Sequence, residues 1–73
     1  MRVYSLTVVI EKDGDGNFLA ICPALQDCCS DGKTMEEALE MIKDAIKLHI
    51  ESRLENGEFI PEELYSSQLK IAV

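Results

Sequence analysis

The chain is poor in the residues on which most nucleic-acid-binding proteins depend. It has no tryptophan, only 5% aromatic residues, and 7 basic against 14 acidic side chains, for a net charge of −7. DNA and RNA are bound mainly by neutralising phosphates with basic side chains and by stacking bases on aromatic rings. We therefore expect no direct nucleic-acid binding by this chain, and a basic molecule as its electrostatic partner.

Long apolar runs and a signal-like amino terminus are also missing. No stretch approaches the roughly 20 apolar residues of a membrane span, and Met1–Ser5 lack the apolar run and cleavage site of a secretory signal. With 73 residues, of which 47% are hydrophobic, the chain predicts a single small domain over residues 1–73. We expect this domain to be cytoplasmic and to make no membrane contact.

Cysteine and histidine are scarce. Three cysteines, Cys22, Cys28 and Cys29, are an odd number and argue against a disulfide framework. Adjacent residues of a strand point to opposite sides, so Cys28 and Cys29 cannot easily share a metal ion. Structural thiols are therefore favoured over a metal site and over redox sensing. A nucleophilic pair of a cysteine with the single histidine, His49, is conceivable, but nothing else points to an enzyme. No cofactor and no metal are expected.

One turn imitates a calcium-binding loop. Asp13, Asp15 and Asn17 have the spacing with which such a loop begins. The loop also needs Gly at its sixth position and Glu at its twelfth, and these positions hold Phe18 and Ala24. The Gly, Asp and Asn content therefore predicts a hairpin turn here.

Alternation of apolar residues between turn signals predicts the element order β-β-β-α-β. The predicted strands are Val3–Glu11, Phe18–Cys22, Cys28–Asp31 and Gln68–Val73. This order indicates an α+β domain with one mostly antiparallel sheet, covered on one face by one helix.

The segment after Thr34 carries the clearest helix pattern. Thr34 and Glu37 form a capping box, and Asn56-Gly57 provide the stop. Apolar side chains recur between these signals at three- and four-residue spacing: Met35, Ala38, Leu39, Ile42, Ala45, Ile46, Ile50 and Leu54. The pattern predicts a helix of about 21 residues, roughly 31 Å long.

One helix leaves the second face of the sheet in contact with water. Tyr4, Leu6, Val8, Phe18 and Ala20 are expected to point at the helix. The other face then carries further apolar side chains, namely Val3, Val9, Leu19 and Ile21. Because exposed apolar patches mark association surfaces, we expect a homodimer or higher oligomer through the sheet face or an edge strand.

A composite motif runs from the second strand into the helix. Its positions are Phe18, Ala20, Pro23, Leu25, Cys28, Ser30, Gly32, Thr34, Glu36, Glu37, Ala38 and Leu39. The pattern closely resembles the HicB-type antitoxin domain, and later positions extend the resemblance over essentially the whole chain: Ile42, Ala45, Ile46, Gly57 and Ile60-Pro61. The chain departs from the family where P-D-L-P-G is replaced by residues 23–27, which lack the tight Pro-Gly turn.

The resemblance implies a partial ribonuclease-H-like core without that fold's catalytic carboxylates. It implies an antitoxin that binds a small basic ribonuclease toxin, HicA-like, and masks its active site. Many relatives carry an additional DNA-binding module, but this chain ends at Val73, so no separate DNA-binding domain is expected. The alternative is a stand-alone oligomeric binding or scaffold module without a toxin partner.

The predicted topology gathers acidic side chains at one pole. The first hairpin, the returning third strand and the helix start bring six carboxylates together, opposed by Lys12 and Lys33: Glu11, Asp13, Asp15, Asp31, Glu36 and Glu37. The fourth strand is expected to add the terminal carboxylate of Val73. Such a pole suits a basic toxin; an ordinary solvated rim that keeps the protein soluble is the alternative.

Overall fold

A computed structural model describes residues 2–73 as three short strands and one long helix. The strands β1 (Val9–Lys12), β2 (Phe18–Ile21) and β3 (Cys29–Gly32) form an antiparallel sheet in the order β1-β2-β3. The helix α1 (Met35–Glu55) packs on one face of this sheet. The predicted α+β class, with a single antiparallel sheet and one helix, is confirmed.

The turn between β1 and β2 is organised by one carboxylate. Asp13 accepts hydrogen bonds from the backbone N–H groups of Asp15 and Asn17, both at 2.9 Å. The N–H of Asp13 in turn donates to the carbonyl of Asn17 at 2.9 Å. This side-chain-to-backbone turn fixes the register in which Lys12 lies opposite Phe18. The predicted hairpin is confirmed.

Both ends of α1 are capped by the predicted residues. The Thr34 hydroxyl accepts the N–H of Glu37 at 3.1 Å, and the Glu37 carboxylate accepts the N–H of Lys33 at 3.4 Å. This arrangement is a capping box whose second bond falls one residue earlier than usual. At the other end Gly57, with a φ of 73°, takes the left-handed conformation that commonly follows a helix.

The core between the helix and the sheet is small. Its buried side chains are Ala20, Cys22, Leu25, Cys28, Ala38 and Ile42. The partly buried side chains around it are Leu6, Val8, Ile10, Phe18, Ala24, Ala45, Ile46 and Ile50. Gly32 allows this packing, because a Cβ there would lie 2.7 Å from the backbone nitrogen of Ala38. The helix therefore covers the sheet face predicted from Leu6, Val8, Phe18 and Ala20, whereas Tyr4 lies before β1 and is not among the side chains packed on this core.

Two of the strand predictions need correction. The first strand begins at Val9, not Val3, because β2 ends before Pro23, which has no N–H to continue the ladder. The strand predicted over Gln68–Val73 does not join the sheet of the described residues, whose only strands are β1, β2 and β3. A strand needs a hydrogen-bonded neighbour, and residues 2–73 provide none for this segment. Its terminal residue is therefore not carried to the acidic pole by a fourth strand.

The helix is longer than the sheet that it covers. Four-residue strands span about 13 Å, whereas 21 helical residues span about 31 Å. Of the predicted apolar stripe, Met35, Leu39 and Leu54 remain 48%, 43% and 50% exposed. Despite these apolar positions, no helix within residues 2–73 has the length and apolarity to cross a membrane.

The turn between β2 and β3 contains one residue in the left-handed backbone conformation, although the turn has no glycine. Asp27 has a φ of 61° and stands where the HicB-type pattern has glycine. The turn is closed by the N–H of Cys28, which donates to the carbonyl of Leu25 at 3.3 Å. Aspartate tolerates this conformation better than most residues, so a tight turn persists although Pro-Gly is absent.

Substitutions at Asp27 test this strain. Asp27→Gly is expected to leave the free energy of unfolding unchanged or to raise it, because glycine adopts a positive φ readily. Asp27→Val is expected to lower it by about 1–2 kcal/mol. Urea unfolding followed by circular dichroism measures both. Gln26→Val is the control for an added apolar side chain, and an equal loss in that variant contradicts the interpretation.

Thiol labelling tests the burial of the cysteines. Burial raises the pKa of the Cys22 and Cys28 thiols, which disfavours the reactive thiolate, whereas Cys29 is exposed. Iodoacetamide at neutral pH is expected to alkylate one thiol of the folded protein rapidly and all three in urea, as counted by mass spectrometry. Cys29→Ser should abolish the rapid reaction. Rapid labelling that survives in Cys29→Ser shows that the core thiols are accessible.

Candidate partner-binding surface

The sheet face opposite α1 is uncovered and apolar at its centre. The register places Val9, Ile21 and Cys29 in one row across the three strands. Leu19 lies on the same face in the neighbouring row, because side chains alternate along a strand. Val9 and Cys29 are exposed, and Leu19 and Ile21 are half-buried. This face therefore offers a small apolar surface to a partner.

Two of the predicted carboxylates border this apolar centre. Glu11 and Asp31 lie opposite Leu19 in the register, one on each side of it. Because neighbouring strands are about 4.8 Å apart, their backbones are separated by roughly 10 Å. Both side chains are exposed. This row across the three strands therefore consists of the apolar Leu19 with a carboxylate on either side.

The remaining predicted carboxylates lie at the same end of the sheet. The register aligns Lys12, Phe18 and Gly32 there, so the β1–β2 turn and the beginning of α1 meet at this end. The exposed carboxylates carried by these two segments are Asp13, Asp15, Glu36 and Glu37. Together with Glu11 and Asp31 they form what we call the acidic end of the domain.

The six carboxylates of the acidic end differ in their bonding. Asp13 holds the β1–β2 turn and Glu37 caps α1, as described above. Among the described residues, the other four accept no hydrogen bond: Glu11, Asp15, Asp31 and Glu36. These four carboxylates are therefore available to a partner without disturbing the fold.

The structure does not assemble the conceivable cysteine–histidine pair. His49 is half-buried on α1 and lines a groove with Gln26, Asp27 and Arg53, in which no lining residue is a cysteine. Its Nδ1 atom is buried and has no hydrogen-bond partner within residues 2–73. In the same part of the chain, no group of three or more His, Cys, Asp or Glu residues could hold a metal ion.

One contact that the sequence pattern does not indicate ties the carboxyl-terminal segment to the residues just before β1. The Glu63 carboxylate accepts the backbone N–H of Thr7 at 2.7 Å and the Thr7 hydroxyl at 2.5 Å. These hydrogen bonds lower the pKa of Glu63 below its ordinary value. Because 56 positions separate the two residues, no local pattern could have indicated the contact.

Comparisons with known proteins agree with the motif. Residues 6–71 match the family described as "HicB_like antitoxin of bacterial toxin-antitoxin system". A UPF0150 protein of Synechocystis sp. is 44% identical over 62 residues, covering 85% of this chain and 78% of that protein. A UPF0150 protein of Thermoplasma acidophilum is 47% identical over 57 residues, covering 78% and 83% respectively.

A third relative, a UPF0150 protein of Archaeoglobus fulgidus, is 42% identical over 55 residues, covering 73% of this chain and 80% of that protein. No solved structure matches the chain. The family match covers nearly all of the described residues and confirms the resemblance seen in the segment from β2 into α1. The chain belongs to the HicB-like antitoxin family of bacterial toxin-antitoxin systems.

Proposed function

We propose that this protein is the antitoxin of a type II toxin-antitoxin pair, and that it binds and masks a small basic ribonuclease toxin of the HicA type. Family membership supports the antitoxin role. The observation that carries the choice of partner is the acidic end, where six exposed carboxylates lie close together. The proposed role is binding rather than catalysis.

Electrostatics makes a basic protein the favoured partner of the acidic end. Like charges placed together repel one another, and a net charge of −7 adds to that repulsion. A basic surface relieves it on docking, and complementary potentials raise association rates by factors of about 10 to 1,000. The acidic end therefore supports fast capture of a basic toxin.

The open sheet face supplies the apolar part of the proposed interface. Protein interfaces usually have an apolar centre with a polar rim. Here Val9, Leu19 and Ile21 form the centre, and Glu11 and Asp31 lie on either side of it. We infer that the toxin docks across Leu19, with its basic side chains directed at the acidic end.

The compartment and the assembly state complete the proposal. All three cysteines are free thiols, which suits the reducing cytoplasm. The acidic charge of the domain opposes direct contact with nucleic acid. The strand β1 lies at an edge of the sheet, and an open edge of this kind supports a homodimer or higher oligomer.

A second candidate function is a stand-alone oligomeric binding or scaffold module without a toxin partner. Exposed apolar side chains away from the acidic end favour it, including Leu48 on α1 and Leu64 and Tyr65 beyond the helix. A stable assembly of this chain, together with no binding to the product of the adjacent gene, distinguishes this candidate from the antitoxin.

Charge removal at the acidic end tests the antitoxin proposal. After co-expression and pull-down with the adjacent gene product, association rates are measured by stopped flow at several salt concentrations. The test variant combines four substitutions: Asp13→Asn, Asp15→Asn, Asp31→Asn and Glu36→Gln. It is expected to associate several-fold more slowly and with a flatter salt dependence, because attraction steers the encounter. Asn at position 13 retains the acceptor that the turn needs.

The control removes the same amount of charge elsewhere. It combines Glu51→Gln, Glu55→Gln, Glu58→Gln and Glu62→Gln, on the later part of α1 and the segment after it. This variant is expected to keep most of the wild-type association rate. Equal effects in the two variants mean that only net charge matters, and an unchanged rate in the test variant places the docking surface elsewhere.

A further inference from the structure

One edge of the sheet, formed by β1, has backbone groups that pair with no strand in the described part of the chain. Residues facing each other in an antiparallel ladder alternate between hydrogen-bonded and non-bonded pairs. The N–H of Asp13 donates to the carbonyl of Asn17, so the facing pairs two and four positions earlier on β1 are the hydrogen-bonded ones. Val9 and Glu11 therefore direct their backbone groups toward β2. Ile10 and Lys12 direct theirs outward from β1, which is an edge strand. Unpaired edges of this kind accept an added strand.

The carboxyl-terminal segment has the pattern of a strand but pairs with no strand among residues 2–73. Leu69, Ile71 and Val73 alternate with polar or small residues, as in a half-buried strand. They are nevertheless exposed, Leu69 at 79% and Ile71 at 74%. We call residues 69–73 the tail. The tail has the pattern of a strand, and the open edge of β1 lacks one.

An apolar groove accompanies the open edge. Its apolar lining consists of Val8, beside β1, and Leu39, Ile42 and Ile46 on α1, and its volume is about 300 Å³. A strand added to β1 would direct alternate side chains toward this groove, on the side of the sheet that faces the helix. The groove fits branched aliphatic side chains such as those of the tail.

The tail of the same chain is poorly placed to fill this site. The hydrogen bonds between Thr7 and Glu63 hold the segment before the tail beside the chain entering β1. From there, residues 65–68 line one groove together with residues 7–10. Only Glu11 and Lys12 of β1 remain beyond that point. Two strand residues span about 7 Å, whereas the five-residue tail is about 16 Å long when extended, so the tail is longer than the part of β1 left to it.

The surface area of the protomer also indicates a missing neighbour. Its accessible surface is 6191 Å², whereas a folded monomer of 8.2 kDa is expected to expose about 4,500 Å². Its radius of gyration is 13.8 Å, against about 11 Å for a compact domain of this length. Two protomers that each buried the excess would form an interface of about 3,400 Å², a size typical of obligate homodimers.

We propose that two copies of this chain exchange their tails, each tail adding a strand to the open edge of β1 in the other copy. Leu69 and Ile71 of one copy pack into the apolar groove of its partner, and backbone groups of Ile10 and Lys12 bond to the added strand. The contact is reciprocal, so it closes as a symmetric dimer. This exchange does not depend on a toxin.

Two complementary variants test the exchange. Leu69→Ser with Ile71→Ser disables the tail, and its control, Lys70→Ser with Ala72→Ser, alters the opposite face of the same segment. Lys12→Pro removes an N–H from the open edge of β1, where proline is tolerated. Its control, Lys12→Ala, retains that N–H while losing the same contact with the Phe18 ring.

Sedimentation equilibrium at tens of micromolar gives the masses. Wild type and both controls are expected at twice the 8.2 kDa protomer mass, and each test variant alone at the protomer mass. An equal mixture of the two test variants is expected to recover dimers, because one copy still has a working tail and the other a working edge. Each mixed dimer is held by one exchanged tail instead of two. Its dissociation constant is therefore expected to be higher than that of the wild-type dimer.

Three outcomes overturn the proposal: a monomeric wild type, test variants that remain dimeric, or a mixture that remains monomeric. Circular dichroism of α1 establishes that each variant is folded. If Lys12→Pro does not fold, isotope-filtered nuclear Overhauser spectra of mixed labelled and unlabelled wild type decide. Contacts between Ile71 and Val8 of different copies are expected, and contacts confined to one copy contradict the exchange.

Discussion

The backbone of β3 comes so close to the first turn of α1 that residue 32 can have no side chain. A Cβ there would lie 2.7 Å from the nitrogen of Ala38 and 3.0 Å from the Cβ of Glu37. This contact sets the height of the helix above the sheet, and so allows Ala38 and Ile42 to reach Ala20 in the core. Because the core is small, moving the helix outward by an ångström would remove much of its van der Waals contact.

The same contact also creates the acidic end. Since β3 passes into α1 through Lys33 and Thr34 alone, the start of the helix must lie beside the end of the sheet. The helix N-terminus is electrically positive and tolerates acidic residues in its first turn, where Glu36 and Glu37 lie. The geometry that packs the domain thus also concentrates its negative charge.

The parts of the fold that were predictable from sequence are those determined by neighbouring residues. Thr34 and Gly57 set the ends of α1, and Asp13 sets the first turn, because each acts within a few positions. The grouping of carboxylates at one end followed from topology. The strand lengths could not be predicted in this way, because a strand extends only as far as the neighbouring strand that it pairs with. Pro23 ends β2, and the contact of Thr7 with Glu63 joins residues that no local rule connects.

Some residues of the acidic end stabilise the fold and others do not, and this difference has an evolutionary consequence. Asp13 and Glu37 bond to backbone groups, so replacing them by residues without an acceptor loosens a turn or a helix cap. The carboxylates of Asp15 and Glu36 are exposed and accept no hydrogen bond among the described residues. Mutations at those two positions can alter the choice of partner while leaving the turn and the cap intact. Duplicated copies of such a gene can therefore acquire separate partners, and avoid cross-reaction, without first acquiring a new fold.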